Sequence, residues 1–320
     1  MNHLLPDLNS PLCELERFSD VGAIVTDLDG TFIKQDGNVL SQLKGIQQQF
    51  SHRAITVTIA TGRTYAGAKE IANQMKIKKG TPIALYNGAI VLPYQINNIL
   101  FRKTIPNSVL KELCTKMDLN HQYLLAYYCM SDGGQDIQET VHGFGPGKPE
   151  KDVNGMQILW HTKDDLEHLC PTVKEFTPNF SFGDSLFSRD VEPCSILIDW
   201  RLLGEQIEEV AQYLDQCPLI SCTRSGSVFW EIRANGVHKG IIFEYLNRSG
   251  KCVAVGDNDN DIELLKEADI GVVVANGSPA LGFAVFLPLL CKGSLLQLCQ
   301  PVSQFHTFVV FGQIEVLRPP

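Results

Sequence analysis

The chain has 320 residues, 44% hydrophobic and 20% charged, which is the make-up of an ordinary globular protein with ample material for a core. Its formal net charge of −9 at pH 7 argues against a broad nucleic-acid-binding surface, because such affinity rests on Lys and Arg neutralising phosphates. A small phosphorylated ligand at one local cationic site stays allowed. The length exceeds a typical domain, so two domains, or one core with a large insertion, are expected.

The opening stretch "MNHLLPDLNSPLCELERFSD" lacks the basic and long apolar regions of a signal peptide, so none is expected. Nowhere is there an uninterrupted apolar run of about 18 residues, so no membrane span is expected and the cytoplasm is the expected location. The ten cysteines show no C-x-x-C spacing and read as reduced thiols. From there on, apolar and β-branched runs recur toward both ends of the chain: "AIVTDL" (23–28), "AITVTIAT" (54–61), "PIALYNG" (82–88), "CVAVGD" (252–257) and "IGVVVAN" (270–276). Each reads as a strand buried on both faces. Stretches of helical length lie between them, at 64–79, 239–250 and 260–269. Strands alternating with helices imply a parallel sheet, so the two ends of the chain are expected to form one α/β domain, 1–93 and 234–320.

The middle, 94–233, is expected to be an inserted α+β domain. Its strand-like runs, "HQYLLAYYC" (121–129), "GMQILWHT" (155–162), "CSILIDW" (194–200), "LISCTR" (219–224) and "SVFWEIR" (227–233), in several cases alternate apolar with polar residues. That pattern suits an antiparallel sheet with one solvated face. Helices are expected at 107–118 and 202–216, and the Gly-rich, charged stretch 132–155 reads as a long loop.

Four of the five core strands end in polar or glycine-bearing clusters, "DLDGT", "TGR", "NG" and "GDNDND", and ligands of parallel sheets collect at such carboxyl ends. Asp27 and Asp29, two apart on an extended segment, point the same way and would raise each other's pKa without a positive neighbour. Asp257, Asp259 and Asp261 add oxygen ligands at another strand end. Hard oxygens without His or Cys suit Mg²⁺, commonly completed by a substrate phosphate. One aspartate can then act as nucleophile and another as proton donor and acceptor. Lys239, in "NGVHKG", and the hydroxyl and amides of "TGR" supply positive charge and donors for phosphoryl oxygens.

In order, the clusters read strand-DxDGT, strand-TGR, NGA, insertion, KG and GDxxND, and on these the chain resembles the Cof-type, class IIB branch of the haloacid dehalogenase superfamily. The resemblance implies a Rossmann-like core with an inserted cap, Mg²⁺ as cofactor, and hydrolysis of small phosphomonoesters, commonly sugar phosphates. Asp27 resembles the nucleophile and a metal ligand. Asp29 resembles the general acid/base, its backbone carbonyl on the metal. Thr61 and Gly62 resemble the phosphate-binding second motif, with Arg63 beside them. Lys239 resembles the cation that orients nucleophile and phosphate. Asp257 resembles the metal-binding acid, Asn260 a phosphate contact, Asp261 a support of the metal shell, and Asn87 a group near the substrate at the cap hinge. The expected partner is therefore a small phosphorylated metabolite, with neither nucleic acid nor membrane; oligomeric state is unreadable. A phosphomutase on the same scaffold and a non-catalytic binding relative are the alternatives. After about 281 the chain departs from the family pattern, and its unusually apolar tail either completes the sheet edge or leaves an apolar patch.

Overall fold

A computed structural model describes residues 20–33, 44–50, 54–131, 136–152, 155–161, 191–225, 228–247, 249–274, 277–278 and 307–311. In chain order the elements are β1 (Val21–Thr26), α1 (Ile46–Phe50), β2 (Thr56–Ile59), α2 (Tyr65–Met75), β3 (Pro82–Leu85), β4 (Ile90–Pro93), β5 (Phe101–Arg102), α3 (Asn107–Lys116), β6 (Leu124–Ser131), β7 (Ile137–Phe144), β8 (Ile158–His161), β9 (Ser195–Asp199), α4 (Ile207–Gln216), β10 (Ile220–Ser225), β11 (Phe229–Ala234), β12 (Lys251–Gly256), α5 (Ile262–Glu267), β13 (Ile270–Val274) and β14 (Thr307–Phe311). They fall into two compact units. One comprises Met1–Thr61, Lys69–Ala84 and His238–Pro320, the other Gly62–Ala68 and Leu85–Val237.

The first unit holds a parallel sheet in the order β14-β13-β12-β1-β2. The β-branched run of β1 suits this central place: Val25 and Ala23 are buried, as are Val57 and Ile59 on β2 and Ala254 on β12. β3 joins alongside β2 through the parallel bridge of Ala60 to Ala84 and the Thr58 hydroxyl on the Pro82 carbonyl. The register that sets Thr26 opposite Val255 also fixes the site, because the Asp27 amide donates to the Val255 carbonyl at 2.8 Å. The segments that leave β1 and β12 therefore emerge side by side. Where the sequence suggests a helix over 239–250, the chain makes short 3₁₀ turns over Lys239–Glu244.

The second unit holds a six-stranded sheet, β10-β11-β9-β6-β7-β8. Its pairs are antiparallel except β7 with β8, which run parallel, so the sheet is mixed and not purely antiparallel as expected. The loop expected over 132–155 is corrected as well. It contains β7, paired with β6 over eight positions from Leu124 opposite Phe144 to Ser131 opposite Ile137. The polar "IQETVHGF" looks loop-like because its charge has a use: Glu139 is taken up by three hydrogen-bond donors, while Val141, His142 and Phe144 are buried. A small antiparallel pair, β4 with β5, was not anticipated.

Candidate active site

Asp27 leaves the end of β1 and is buried, and Lys239 reaches it from the start of the 3₁₀ turns. Lys239 Nζ donates to Asp27 Oδ1 and to Asp261 Oδ1, each at 2.7 Å, and its side chain is 1% exposed. Asp261 Oδ2 in turn accepts the backbone N–H groups of Asp257 and Asn258, both at 3.0 Å. Asn258 reciprocates as the cap of the turn Asp259–Asp261, its Oδ1 accepting from the Asp259 amide at 2.9 Å. Gly256 leaves room for this, since a Cβ there would crowd Asp261 Cβ at 2.6 Å.

Asp257 completes the cluster. Carboxylate oxygens of Asp27, Asp257 and Asp261 lie within 4.8 Å of one another. The "GT" of "DLDGT" proves to serve Asp257. Thr31 Oγ1 donates to Asp257 Oδ1 at 3.0 Å, and Gly30, at φ +84°, lies so close that a Cβ would run into Asp257 Oδ2. Neither was singled out from the sequence, although Thr31 sits in the motif, two residues beyond Asp29.

The electrostatics follow from burial. It pushes Asp27 well above the usual carboxylate range; Lys239 opposes this, and the charges of Asp261 and Asp257 add to it. Burial and Asp261 likewise raise Asp257, against the Thr31 hydroxyl and Lys239. For Lys239 burial acts to lower the pKa, but the carboxylates of Asp261 and Asp27 outweigh it and hold the ammonium well above the ordinary lysine value. One ammonium therefore serves three acids.

Of the other residues named from the sequence, Asn260 lies within the turn Asp259–Asp261. Asp29 is exposed, bridged to Ile33, and is not among the three clustered carboxylates. Thr61 is buried and its amide donates to the Ala84 carbonyl at 3.0 Å. Gly62, Arg63 and Asn87 belong to the second unit. There Asn87 is buried with φ 54°, and a Cβ on Gly62 would come within 3.1 Å of its Nδ2. Arg63 Nη1 donates to the Gly67 carbonyl at 3.2 Å, within the first turn of α2.

A residue that the sequence gave no reason to name holds the start of α2 from within the same unit. Glu139 of β7 accepts the Tyr65 amide on Oε1 at 2.6 Å, the Ala66 amide on Oε2 at 2.7 Å, and the Tyr86 hydroxyl. Burial raises its pKa, and these three bonds oppose the rise.

The family model for haloacid dehalogenase-like hydrolases matches residues 24–284. The chain belongs to this family. It is 25% identical over 268 residues to the 5-amino-6-(5-phospho-D-ribitylamino)uracil phosphatase YitU of Bacillus subtilis, a match covering 81% of this chain and 88% of the relative. Among solved structures it resembles a haloacid dehalogenase-like hydrolase from Bacteroides thetaiotaomicron, with TM-score 0.59 and 21% identity over 82% of this chain and 92% of that one. It also resembles the subclass IIB sugar phosphatase BT4131, with TM-score 0.59 and 16% identity over 82% and 91%. The family's architecture, a parallel α/β core sheet with a separate mixed cap sheet, is what the two units show.

Proposed function

We propose that this hydrolase is a Mg²⁺-dependent phosphatase of small-molecule phosphomonoesters, sugar phosphates among them, working through a phosphoaspartate on Asp27. The observation that carries the reading is the buried ammonium of Lys239, 2.7 Å from both Asp27 and Asp261, beside a third acid. The donor set fits a hard divalent cation: three carboxylates and no Cys or His in the cluster. Asp261 has both oxygens engaged by N–H donors, so in this reading Asp27 and Asp257 hold the ion, with the Asp29 carbonyl, and Asp261 holds Lys239 and the Asp257 backbone in place. When bound, Mg²⁺ neutralises charge on the phosphoryl oxygens and draws them to the carboxylates.

The residues then divide the work. An Asp27 oxygen attacks phosphorus as the bond to the leaving alcohol breaks, and the exposed Asp29 gives the oxygen of that alcohol its proton. Asp29 next takes a proton from water, whose oxygen attacks the same phosphorus; the bond to Asp27 breaks and phosphate leaves. Lys239 opposes the protonation that burial favours at Asp27 and orients its carboxylate. Thr61, Gly62, Arg63, Asn87 and Asn260 are proposed to contact the phosphate or substrate, and 94–233 to form the cap that reads the leaving alcohol. Free thiols at Cys114, Cys129, Cys194, Cys217, Cys222 and Cys252 suit a reducing, cytoplasmic setting.

The test is phosphate release from a panel of phosphorylated sugars, polyols and nucleotides, with Mg²⁺ and with chelator. Wild type should release phosphate only with metal, and Asp27→Asn should lose roughly 10⁴-fold or more in kcat, in line with removal of a nucleophile. Phosphate passed to a second position of the substrate, with none set free, would overturn hydrolysis, and metal-independent release would overturn the metal's role.

A further inference from the structure

The mixed sheet of the second unit carries a buried cation with donors to spare. Arg233, near the end of β11, is 4% exposed, and its Nε and Nη1 have no hydrogen-bond partner among the described residues. Guanidinium is never neutral in proteins, and a buried, unpaired charge is among the costlier features a fold can carry. Native structures rarely leave such donors unmet; ordered water or a ligand meets those that the chain does not.

The neighbours say what kind of ligand. Residues two apart on a strand share a face, so Glu231 and Arg233 stand side by side. Glu231, also 4% exposed, accepts the Ser195 hydroxyl at 3.3 Å. Tyr127 lies opposite Ser195 on β6, and Thr223 lies opposite Glu231 on β10, its buried Oγ1 also without a partner among the described residues. Burial, Asp152 and Glu231 all push the Tyr127 phenol above its ordinary value, which puts both carboxylates within electrostatic reach of this face. The face thus offers donors from Arg233, an acceptor from Glu231, and hydroxyls that do either. The Glu231 carboxylate beside the guanidinium disfavours a second phosphate or a carboxylate. A hydroxyl satisfies both demands at once, accepting from Arg233 and donating to Glu231.

We infer that this face of the mixed sheet, built on Arg233, Glu231 and Thr223, binds an uncharged polyhydroxylated group, with Arg233 and Glu231 selecting it over a second anion. The inference rests on the phosphomonoesterase reading only for what the group is, the alcohol that leaves; the binding itself stands apart from turnover.

The experiment is saturation-transfer NMR on the full chain with ribitol and glucitol as probes and malonate as the anionic control, together with thermal melts. Both polyols should give signals with wild type, and Arg233→Met should weaken them at least tenfold. Ribitol should raise the melting temperature of wild type and not that of Arg233→Met; an Arg that merely braced the sheet would leave the polyol-induced rise unchanged. Thr223→Val, a near-isosteric change, should weaken binding severalfold, and it decides the matter if Arg233→Met does not fold. With phosphate esters, the ratio of kcat/KM for a hexitol phosphate to that for a hydroxyl-free alkyl phosphate should fall at least tenfold in Arg233→Met. Equal polyol binding by wild type and both variants, malonate bound in preference to polyol, or an equal polyol-induced rise in melting temperature in wild type and Arg233→Met would overturn the inference. Absence of hydrolysis on every ester would sink the phosphatase reading alone, since polyol binding is read without it.

Discussion

Replacing Lys239 by Met removes one charge and keeps most of the volume, so it isolates the role of the ammonium in the acid cluster. Breaking a buried ion pair by removing one partner costs about 3–5 kcal/mol, because the charge left behind is uncompensated. Two features place the expected cost at the lower end. Asp261 keeps two backbone donors at 3.0 Å, and Asp27, raised well above the usual range by burial even with Lys239 present, can take up a proton once the ammonium is gone. We therefore expect a loss of ~3 kcal/mol near neutral pH for the metal-free protein, equivalent to ~6–12 °C in melting temperature for a unit of this size. The pH dependence carries the stronger test. In wild type the Lys239 pKa is raised, so its contribution is fully present below the ordinary lysine value, ~10.4, and is lost only as pH rises through the higher folded value. In the variant, protonation of Asp27 relieves the cost, so the deficit should shrink as pH falls from 8 to 5.5. Thermal and urea melts of both proteins in chelator, at several pH values, read this directly. A deficit under about 1 kcal/mol, too small for a broken buried pair, or one that widens on acidification, would refute charge compensation as the role of Lys239.

Gly30→Ala places a Cβ against Asp257 Oδ2 at a residue with φ +84°, so either the backbone or Asp257 must move; we expect a cost of roughly 1–3 kcal/mol, and we expect added Mg²⁺ to raise the melting temperature of wild type and not of the variant. Unchanged metal stabilisation would show that Asp257 does not need its observed place. Glu139→Gln tests the clamp on α2. The folded pKa of Glu139 is raised, chiefly by burial, so its contribution is fully present below the unfolded value, ~4.3, and declines as pH rises through the folded one. The stability of wild type relative to Glu139→Gln should therefore be greater at pH 4.5 than at pH 7.5, as followed by the difference in melting temperature. A difference that grows with pH would mean that the three hydrogen bonds outweigh burial.

Much of the first unit could be read from sequence because one physical rule governs it. Strands buried on both faces give continuous apolar runs, and their polar carboxyl ends stand out against those runs, as Asp27 after "AIVT" and Asp257 after "CVAVG" show. Parallel pairing of β1 with β12 then does the rest, since it sets the two acidic segments next to each other. The second unit was harder. β7 reads as loop because it lies in the stretch 132–155, rich in glycine and charge, and the donors that satisfy Glu139 lie 73 and 74 residues away in sequence and on Tyr86. No local window contains that information. Arg233 was invisible for a similar reason: "WEIRA" shows a strand with a charge on it, but only the folded sheet shows that the charge is buried and unmet.

Lys239 and Arg233 make the same point about buried cations from opposite sides. Both are nearly inaccessible, at 1% and 4% exposure, so burial alone would assign them similar desolvation costs. What separates them is the company each keeps. Lys239 has two carboxylates at 2.7 Å and is the charge that lets three acids share a site, so its removal should destabilise the fold. Arg233 has no hydrogen-bond partner at Nε or Nη1 among the described residues, so its removal forfeits no hydrogen bond at those two atoms while costing the protein a ligand. Natural sequences keep destabilising groups where function needs them, and buried donors that no described residue meets point to chemistry supplied from outside the chain. The rise in melting temperature on adding polyol, compared between wild type and Arg233→Met, thus separates a charge that serves the fold from one that waits for a ligand.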